Sequence, residues 1–349
     1  MKIGILGGGQ LSRMLALAGI PLGFKFIFYE PNNAEAVEGL GTIMHAPYTC
    51  TNSLAEFAKL ADFITYENES IPYSSVEFIE KIKPTHPNSK ALLFSQDRLN
   101  EKNLFKQLNI NVNHFQKVDC KMEAMSFGQT FKYPFILKKR TLGYDGKGQY
   151  VINNENDLLI LDDNIFHNMI AEEIVHFDRE ISIIAISKGP HHIVYYDLCE
   201  NQHQSGILIK TYNKPLDPAF EIAKDYIDRI IAFLNYTGCI AFEFFQVGNN
   251  LFANETAPRV HNSGHWTIEG AATSQFENHL RAICDLPLGS TKSLGHSCMV
   301  NIIGEMPDKQ LILNNKNAYL HDYGKTPYKG RKLGHITHFP IQKPIAEPI

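Results

Sequence analysis

Residues 238–266 read GCIAFEFFQVGNNLFANETAPRVHNSGHW, and they hold the fold's most telling pattern. Over 238–247, Cys239, Ala241, Glu243, Phe245 and Val247 alternate with Ile240, Phe242, Phe244 and Gln246. A period of two with apolar residues on both faces predicts a strand, with Glu243 pointing into an otherwise apolar face. Gly248, Asn249 and Asn250 have turn composition and residues 251–256 return, which predicts a hairpin with a three-residue loop. Such a loop pairs Val247 with Leu251 and sets Glu243 directly opposite Glu255. Like charges opposed on a sheet destabilise it, and a buried carboxylate without a partner is costlier still. A cation between them resolves the conflict, and Mg2+ suits it because it takes one or two carboxylates and completes its shell with phosphate and water. The alternative is that one glutamate turns to solvent on an edge strand.

After Glu255 come Thr256, Ala257, Pro258, Arg259, Val260, His261, Asn262, Ser263, Gly264, His265 and Trp266, a run rich in donors and poor in core-building residues. Arg259 can grip a carboxylate or phosphate with two parallel hydrogen bonds, and His261, Asn262 and Ser263 can orient a small planar anion. This combination resembles the signature of the 5-(carboxyamino)imidazole ribonucleotide synthetase family, a branch of the ATP-grasp ligases. The resemblance implies an α/β (α+β) ATP-grasp architecture. An N-terminal pre-ATP-grasp, Rossmann-like domain would cover 1–96. The ATP-grasp domain would cover 97–288 with its lid at about 115–175, and a small β-rich C-terminal domain 289–349. It also implies that ATP and bicarbonate form carboxyphosphate, which carboxylates 5-aminoimidazole ribonucleotide in de novo purine synthesis. Glu243 and Glu255 would hold Mg2+, with Mn2+ as a substitute, and Arg259 would take bicarbonate and carboxyphosphate, oriented by His261, Asn262 and Ser263.

At 349 residues the chain predicts two or three domains. Charged residues at 20% and hydrophobic ones at 44% give a globular composition, and a net charge of -4 argues against a nucleic-acid binder. Six scattered cysteines without a close pair read as reduced thiols of a cytosolic protein. The start MKIGILG meets glycines before any signal-peptide core can develop, and no run approaches the roughly 18 apolar residues of a membrane span. The expectation is a soluble, cytoplasmic protein with small-molecule partners, no nucleic acid and no membrane. The resembled family adds a homodimer.

Along the chain, residues 2–6 form a buried strand, Gly7 to Gln10 a glycine turn, and 11–18 an amphipathic helix, which together offer amides to an anion. A dinucleotide turn would need a third glycine where Ser12 stands; a tight turn that only lets helix and strand pack is the plain alternative. The resemblance places Gly9, Gln10 and Leu11 at the substrate's ribose phosphate. The strand at 63–66 ends in Glu67, Asn68 and Glu69, where an open sheet places ligands. Glu67 and Glu69 are expected on one side, and in the family such a pair lies beside the aminoimidazole.

Asp97, Arg98 and Leu99 open a helix through Leu108, with Lys102 one turn on. The resemblance puts Arg98 on nucleotide phosphates. The strand at 135–138 leads through Lys138, Lys139, Arg140, Thr141 and Leu142 into Gly143, Tyr144, Asp145, Gly146, Lys147, Gly148 and Gln149. Three glycines in six residues predict a mobile turn whose amides close over phosphates, without the Gly-Lys-Ser/Thr order of a P-loop. In the family this is the lid over ATP, with Lys138 on the phosphates and Tyr144 and Asp145 near the substrate. Residues 170–175, with Glu172, Glu173, Ile174 and Val175, read as a strand ending at a hinge, and the resemblance implies that the backbone of this linker holds adenine. Glu180 serves the ribose, and His203, Asn254 and Glu255 complete the nucleotide set that the resemblance implies.

Helices are expected over 217–236, with Ile222, Tyr226 and Ile230 inward, and over 269–283, with strands near 299–303 and 318–321. In the closing run Lys329 to His335, the resemblance gives Arg331 and Lys332 to the ribonucleotide phosphate. Two departures stand out: Ala257 replaces the asparagine that many ATP-grasp enzymes use as a third metal contact, and Leu142 replaces the first lid glycine. The rivals are another ATP-grasp carboxylase or formate-using ligase, a nucleotide-binding protein without catalysis, and a nicotinamide dehydrogenase built on Gly7 to Gly9. The last leaves Glu243, Glu255 and Arg259 without a purpose.

Overall fold

The structure is a computed structural model that describes residues 1–141, 143 and 148–342. Three sheets organise it. The first is parallel, in the order Thr42–Met44, Lys25–Tyr29, Lys2–Leu6, Phe63–Tyr66. Its strands read as apolar runs because both faces are covered. Phe26 and Phe28 pack with Leu11, Met14 and Leu15 of the Gln10–Gly19 helix, whereas Ile27 and Tyr29 pack with Leu54 and Phe57 of the Thr51–Leu60 helix.

The second sheet has four antiparallel strands, Phe115–Val118, Met169–Glu173, Phe135–Lys139 and Gln149–Ile152. The Lys121–Phe131 helix covers it with Ala124 and Phe127. The third sheet has nine strands and carries the acidic hairpin at one edge. From that edge it runs through Asn250–Ala257, Thr237–Val247, Arg179–Lys188, Leu198–Gln204, Ile207–Lys214, Cys298–Ile303, Lys332–His338 and Ala318–Asp322, with the short Ile193–Tyr195 paired to Arg179–Lys188 off this path. The three C-terminal strands thus extend the sheet of the acidic hairpin and do not build one of their own.

Two helices cover its faces. Phe220–Leu234 buries Ala223, Tyr226, Ile227, Ile230, Ile231 and Leu234 against Ile183, Ile240, Phe242 and Phe244. It is shorter than expected, and Ile222 is exposed rather than inward. The helix expected over 269–283 is broken: Thr267–Gly270 ends, and Gln275–Ile283 starts afresh with Ser274 as its cap, accepting from Glu277 N at 3.2 Å. Phe276, Leu280 and Ile283 of this second piece share one apolar cluster with Leu11 and Leu15 on one side and Ile184 and Ala241 on the other. The parallel sheet is thereby joined to the nine-stranded one.

The hairpin turn differs from the expected one. Val247 pairs with Asn250, so the loop is the two residues Gly248 and Asn249, with Gly248 at φ +56°. A two-residue loop alone would set Asn254 opposite Glu243. A β-bulge between Glu243 and Phe244 leaves Asn254 as the extra residue, and Glu243 pairs with Glu255 after all.

Candidate active site

Glu243 and Glu255 leave the hairpin as cross-strand neighbours, and each already has a cationic or donor partner. Glu243 is nearly buried, with His261 Nε2 3.1 Å from its Oε1. Burial works against its charge, but the hydrogen bond from His261 and the nearby His261, His203 and Arg259 bring its pKa down to about 2. The tautomer of His261 follows from its other side. Ser263 N donates to Nδ1 at 3.3 Å, so the ring proton sits on Nε2, facing Glu243. The Glu255 side chain is 44% exposed and takes Arg98 Nη1 on Oε2 at 3.0 Å. Arg98 Nη2 also donates to Gly143 O at 3.0 Å, so one guanidinium joins the hairpin to the start of the glycine lid. Tyr144, Asp145, Gly146 and Lys147 of that lid, with Leu142, lie outside the described residues. Gly148 and Gln149 are its far end, Gln149 pairing with Lys138.

Among the described residues no three His, Cys, Asp or Glu side chains converge to cage a metal alone. Two carboxylates side by side, one of them open to solvent, instead fit a hard divalent cation that takes its remaining oxygens from phosphate and water.

The loop after the hairpin is less uniform in purpose than its composition suggests. Arg259 Nη2 holds Glu69 Oε1 at 2.8 Å and Nη1 donates to Val260 O at 3.0 Å, while Nε is buried without an acceptor. Burial opposes the guanidinium's charge, but Glu69, Glu255 and Glu243 keep its pKa above the usual arginine value. The side chains of Asn262 and Ser263, expected to orient an anion, make their hydrogen bonds within the protein. The Asn262 amide exchanges two hydrogen bonds with Asn301, at 3.0 and 2.7 Å, and reaches His265 Nδ1 at 3.0 Å. Ser263 is fully buried, its hydroxyl 2.8 Å from Ser182 Oγ and 2.9 Å from His261 Nδ1. Ser263 reaches the site through His261, while Asn262 is tied to Asn301 and His265. Gln275 completes the mount, accepting from His261 N at 2.9 Å and donating to His261 O at 2.6 Å.

The wall facing the lid is a buried charge cluster. Lys138 Nζ lies 3.2 Å and Lys102 Nζ 3.5 Å from the same Glu172 Oε2, and Glu172 Oε1 has no partner. Burial penalises this carboxylate, but the two ammonium groups pull its pKa well below the usual range. Met169–Glu173 ends one residue past Glu172, so Ile174 and Val175 are half-buried residues of the connection. Glu173 turns outward to pair with His114 at 2.7 Å. Glu180 holds the His203 ring; burial opposes that ring's charge, but Glu180, with Glu243 and Glu255, raises its pKa.

The glycine turn is occupied by the protein's own carboxylates. Glu67, 6% exposed, accepts from Gly9 N at 2.6 Å and Ser12 N at 2.9 Å, and Glu30 accepts from Gly8 N at 3.0 Å. Gly7, at φ +113°, has no room for a Cβ, which would meet Glu67 Cγ at 2.3 Å. Glu67 and Glu69 do not share a side. The strand stops at Tyr66 and the chain bends at Glu67, which sends one carboxylate to the turn and the other to Arg259. Leu11 offers no side chain to a ligand, being buried in the apolar cluster beneath the helix.

A cavity of about 250 Å3 remains beside the turn, bordered by Gly8, Gly9, Glu35, Glu67, Lys325 and Arg331. Lys325 donates to Gln10 Oε1 at 2.5 Å, and Arg331 reaches Glu35 at 2.5 Å and Thr326 O at 2.8 Å. Burial, with Arg331 close by, brings the Lys325 pKa down to about 8. Lys332 is half-buried at the start of its strand. Lys325, Gln275 and Ser182 have no local signal: each stands in an ordinary stretch, and only non-local pairing brings it here.

Comparison with known proteins bears on this arrangement. The chain matches the ribonucleotide synthetase preATP-grasp domain over 1–96, the ATP-grasp domain over 103–276, and the phosphoribosylaminoimidazole carboxylase C-terminal domain over 297–343. It is 43% identical to the N5-carboxyaminoimidazole ribonucleotide synthase of Pseudomonas aeruginosa, over 97% of this chain and 94% of that protein. It resembles the solved N5-carboxyaminoimidazole ribonucleotide synthetase of Thermus thermophilus with a TM-score of 0.91 and 42% identity, over 96% and 93% of the two chains. The Aspergillus clavatus N5-carboxyaminoimidazole synthase, solved in complex with ADP and 5-aminoimidazole ribonucleotide, matches with a TM-score of 0.84 and 28% identity, over 97% and 93%. With its fold, its paired hairpin glutamates and relatives alike over nearly their whole length, this chain belongs to the N5-carboxyaminoimidazole ribonucleotide synthase family of ATP-grasp ligases.

Proposed function

We propose that the chain carboxylates 5-aminoimidazole ribonucleotide with bicarbonate at the expense of ATP, a step of purine synthesis. The supporting observation is the Glu243–Glu255 pair, with Arg259 and His261 following on the same segment, in a chain of this family. A bicarbonate oxygen attacks the γ-phosphorus of ATP, the bond to the β-phosphate oxygen breaks, and ADP leaves. The substrate's exocyclic amine then forms its bond to the carboxyl carbon, the bond to phosphate breaks, and the nitrogen releases a proton. The protein's part is positioning and charge.

Glu243 and Glu255 would hold Mg2+, which when bound offsets phosphate charge; Mn2+ would serve similarly. Glu172, fixed between Lys102 and Lys138, sets where the Lys138 ammonium meets the phosphates. Arg259 exchanges Glu69 for bicarbonate, and His261, its Nε2 proton directed at Glu243, keeps that carboxylate aligned. Tyr144 and Asp145 of the lid would approach the substrate, while Lys325 and Arg331 supply cations for its phosphate.

No helix is long and apolar enough to cross a membrane among the described residues, and the six cysteines are unpaired. A cytosolic homodimer is the setting we propose. The test is ADP formation that needs both bicarbonate and 5-aminoimidazole ribonucleotide. Formate or another amine replacing either one would point instead to a different ATP-grasp ligase. Glu255→Gln should abolish turnover with the fold intact by circular dichroism, and retained turnover would remove Glu255 from the metal site.

A further inference from the structure

The helix Arg98–Gln107 touches the acidic hairpin at three points, only one of which is a bond to a proposed ligand of the metal. Arg98 holds Glu255 itself. Glu101 Oε1 accepts from Thr256 N at 2.7 Å and Thr256 Oγ1 at 2.6 Å, immediately after Glu255. Lys102 Nζ donates to Ala253 O at 3.0 Å, immediately before the bulged Asn254, and to Asn113 Oδ1 at 3.0 Å. Asn111 O adds a bond from Ala253 N at 2.8 Å. The bulge is therefore clamped on both flanks, by consecutive residues of one helix.

Glu101 is 3% exposed and Lys102 is 2% exposed. Burying two ionisable side chains is costly unless they are paired, and apolar residues of similar volume commonly stabilise a core as well or better. Packing alone therefore does not explain them. A bulge leaves the ladder locally without its regular bonds, and this one must aim a glutamate at the proposed metal position. We propose that Glu101 and Lys102 are positioning residues that lock the Ala253–Thr256 bulge and thereby aim Glu255, setting metal affinity without touching metal or nucleotide. The inference rests on the reading of Glu255 as a metal ligand.

Mn2+ binding in the presence of saturating ADP, followed by electron paramagnetic resonance, tests it without requiring turnover. Groups that orient a metal ligand typically influence affinity by about 10–100-fold. Thr256→Val removes the hydroxyl held by Glu101, and Lys102→Met removes the bond to Ala253 O together with those to Asn113 and Glu172. Each should weaken Mn2+ binding by at least about 10-fold, and for Thr256→Val the Mg2+ needed for half-maximal rate should rise while kcat at saturating Mg2+ changes less. Thr256→Ser, which keeps the hydroxyl, should restore parental binding. Should Lys102→Met fail to fold, the Thr256 pair decides alone. Parental binding by folded Thr256→Val, with binding lost in Glu255→Gln, overturns the brace and leaves the metal reading standing. Parental binding by Glu255→Gln overturns both.

Discussion

Lys325 lies in the cavity beside the glycine turn, and its ammonium is the group there whose charge depends most on pH near neutrality. Burial and the neighbouring Arg331 bring its pKa to about 8, so the cation is present below that pH and lost above it. A substrate phosphate is attracted only to the charged form. The expected outcome is a KM for 5-aminoimidazole ribonucleotide that rises as pH increases through about 8, with kcat following a different profile. Lys325→Arg, charged throughout, should flatten the rise; an unchanged profile would separate Lys325 from the phosphate. The residue types at the acidic pair and at Arg259 are legible because few packing roles call for them. Lys325 is not, since a lysine in a loop is ordinarily solvated and only the fold turns it toward Gln10. Asn262 and Ser263 illustrate the opposite case: their type suits ligand contact, and it is the fold that brings Asn301 and Ser182, distant in sequence, to take up their hydrogen bonds.

The acidic hairpin shows how a register can be read from two departures that compensate. The actual turn is one residue shorter than its Gly-Asn-Asn composition suggests, and the bulge at Asn254 restores that residue, so Glu243 still faces Glu255. Nothing local distinguishes a three-residue loop from a two-residue loop plus a bulge. The broken helix at 271–274 is different, for Ser274 with Glu277 three residues later is a helix-start signal within the expected span. A similar start governs the helix behind the hairpin. Asp97 Oδ1 caps it by accepting from Leu99 N at 2.9 Å and Asn100 N at 3.4 Å, while the same carboxylate holds Arg140 through Nε at 3.0 Å and Nη2 at 2.5 Å. Asparagine caps nearly as well as aspartate but cannot pair with Arg140 as an ion. Asp97→Asn should therefore lose about 2 kcal/mol from the charged hydrogen bonds, and Asp97→Ala about 1 kcal/mol more from the cap. Urea unfolding would separate them, and equal losses would mean that the cap contributes nothing measurable.

Across the whole molecule, the parallel sheet and the nine-stranded sheet meet at one imidazole. His279 Nδ1 accepts from Cys239 N at 3.0 Å, so Nε2 carries the proton and donates to Thr65 Oγ1 at 2.9 Å. No local pattern foretells this contact, because Thr65 and Cys239 belong to different sheets and are brought together only in the fold. Burial, with His86 nearby, pushes the His279 pKa down to about 3. Burial also holds His265 and His335 well below the ordinary histidine range. Each of the three is neutral when folded and takes up a proton when unfolded below about pH 6.5. Their contribution to stability is therefore complete above that pH and is lost as the pH falls toward the folded values. His203, whose pKa is raised, acts in the opposite sense, stabilising below about pH 6.5 and losing that contribution as the pH rises through its folded value. On the acid side both of its states are protonated, so it adds no slope there. Between its unfolded and folded values each such histidine steepens the fall by at most about 1.4 kcal/mol per pH unit. His279→Gln keeps a neutral polar group between Cys239 N and Thr65 and removes one titration. Urea unfolding at intervals from pH 6.5 to 4.5 should show the variant less stable at the start but with a slope shallower by about 1.4 kcal/mol per pH unit. A parallel pair of lines would mean that His279 is protonated in the folded protein, and the joint between the two sheets would then need another account.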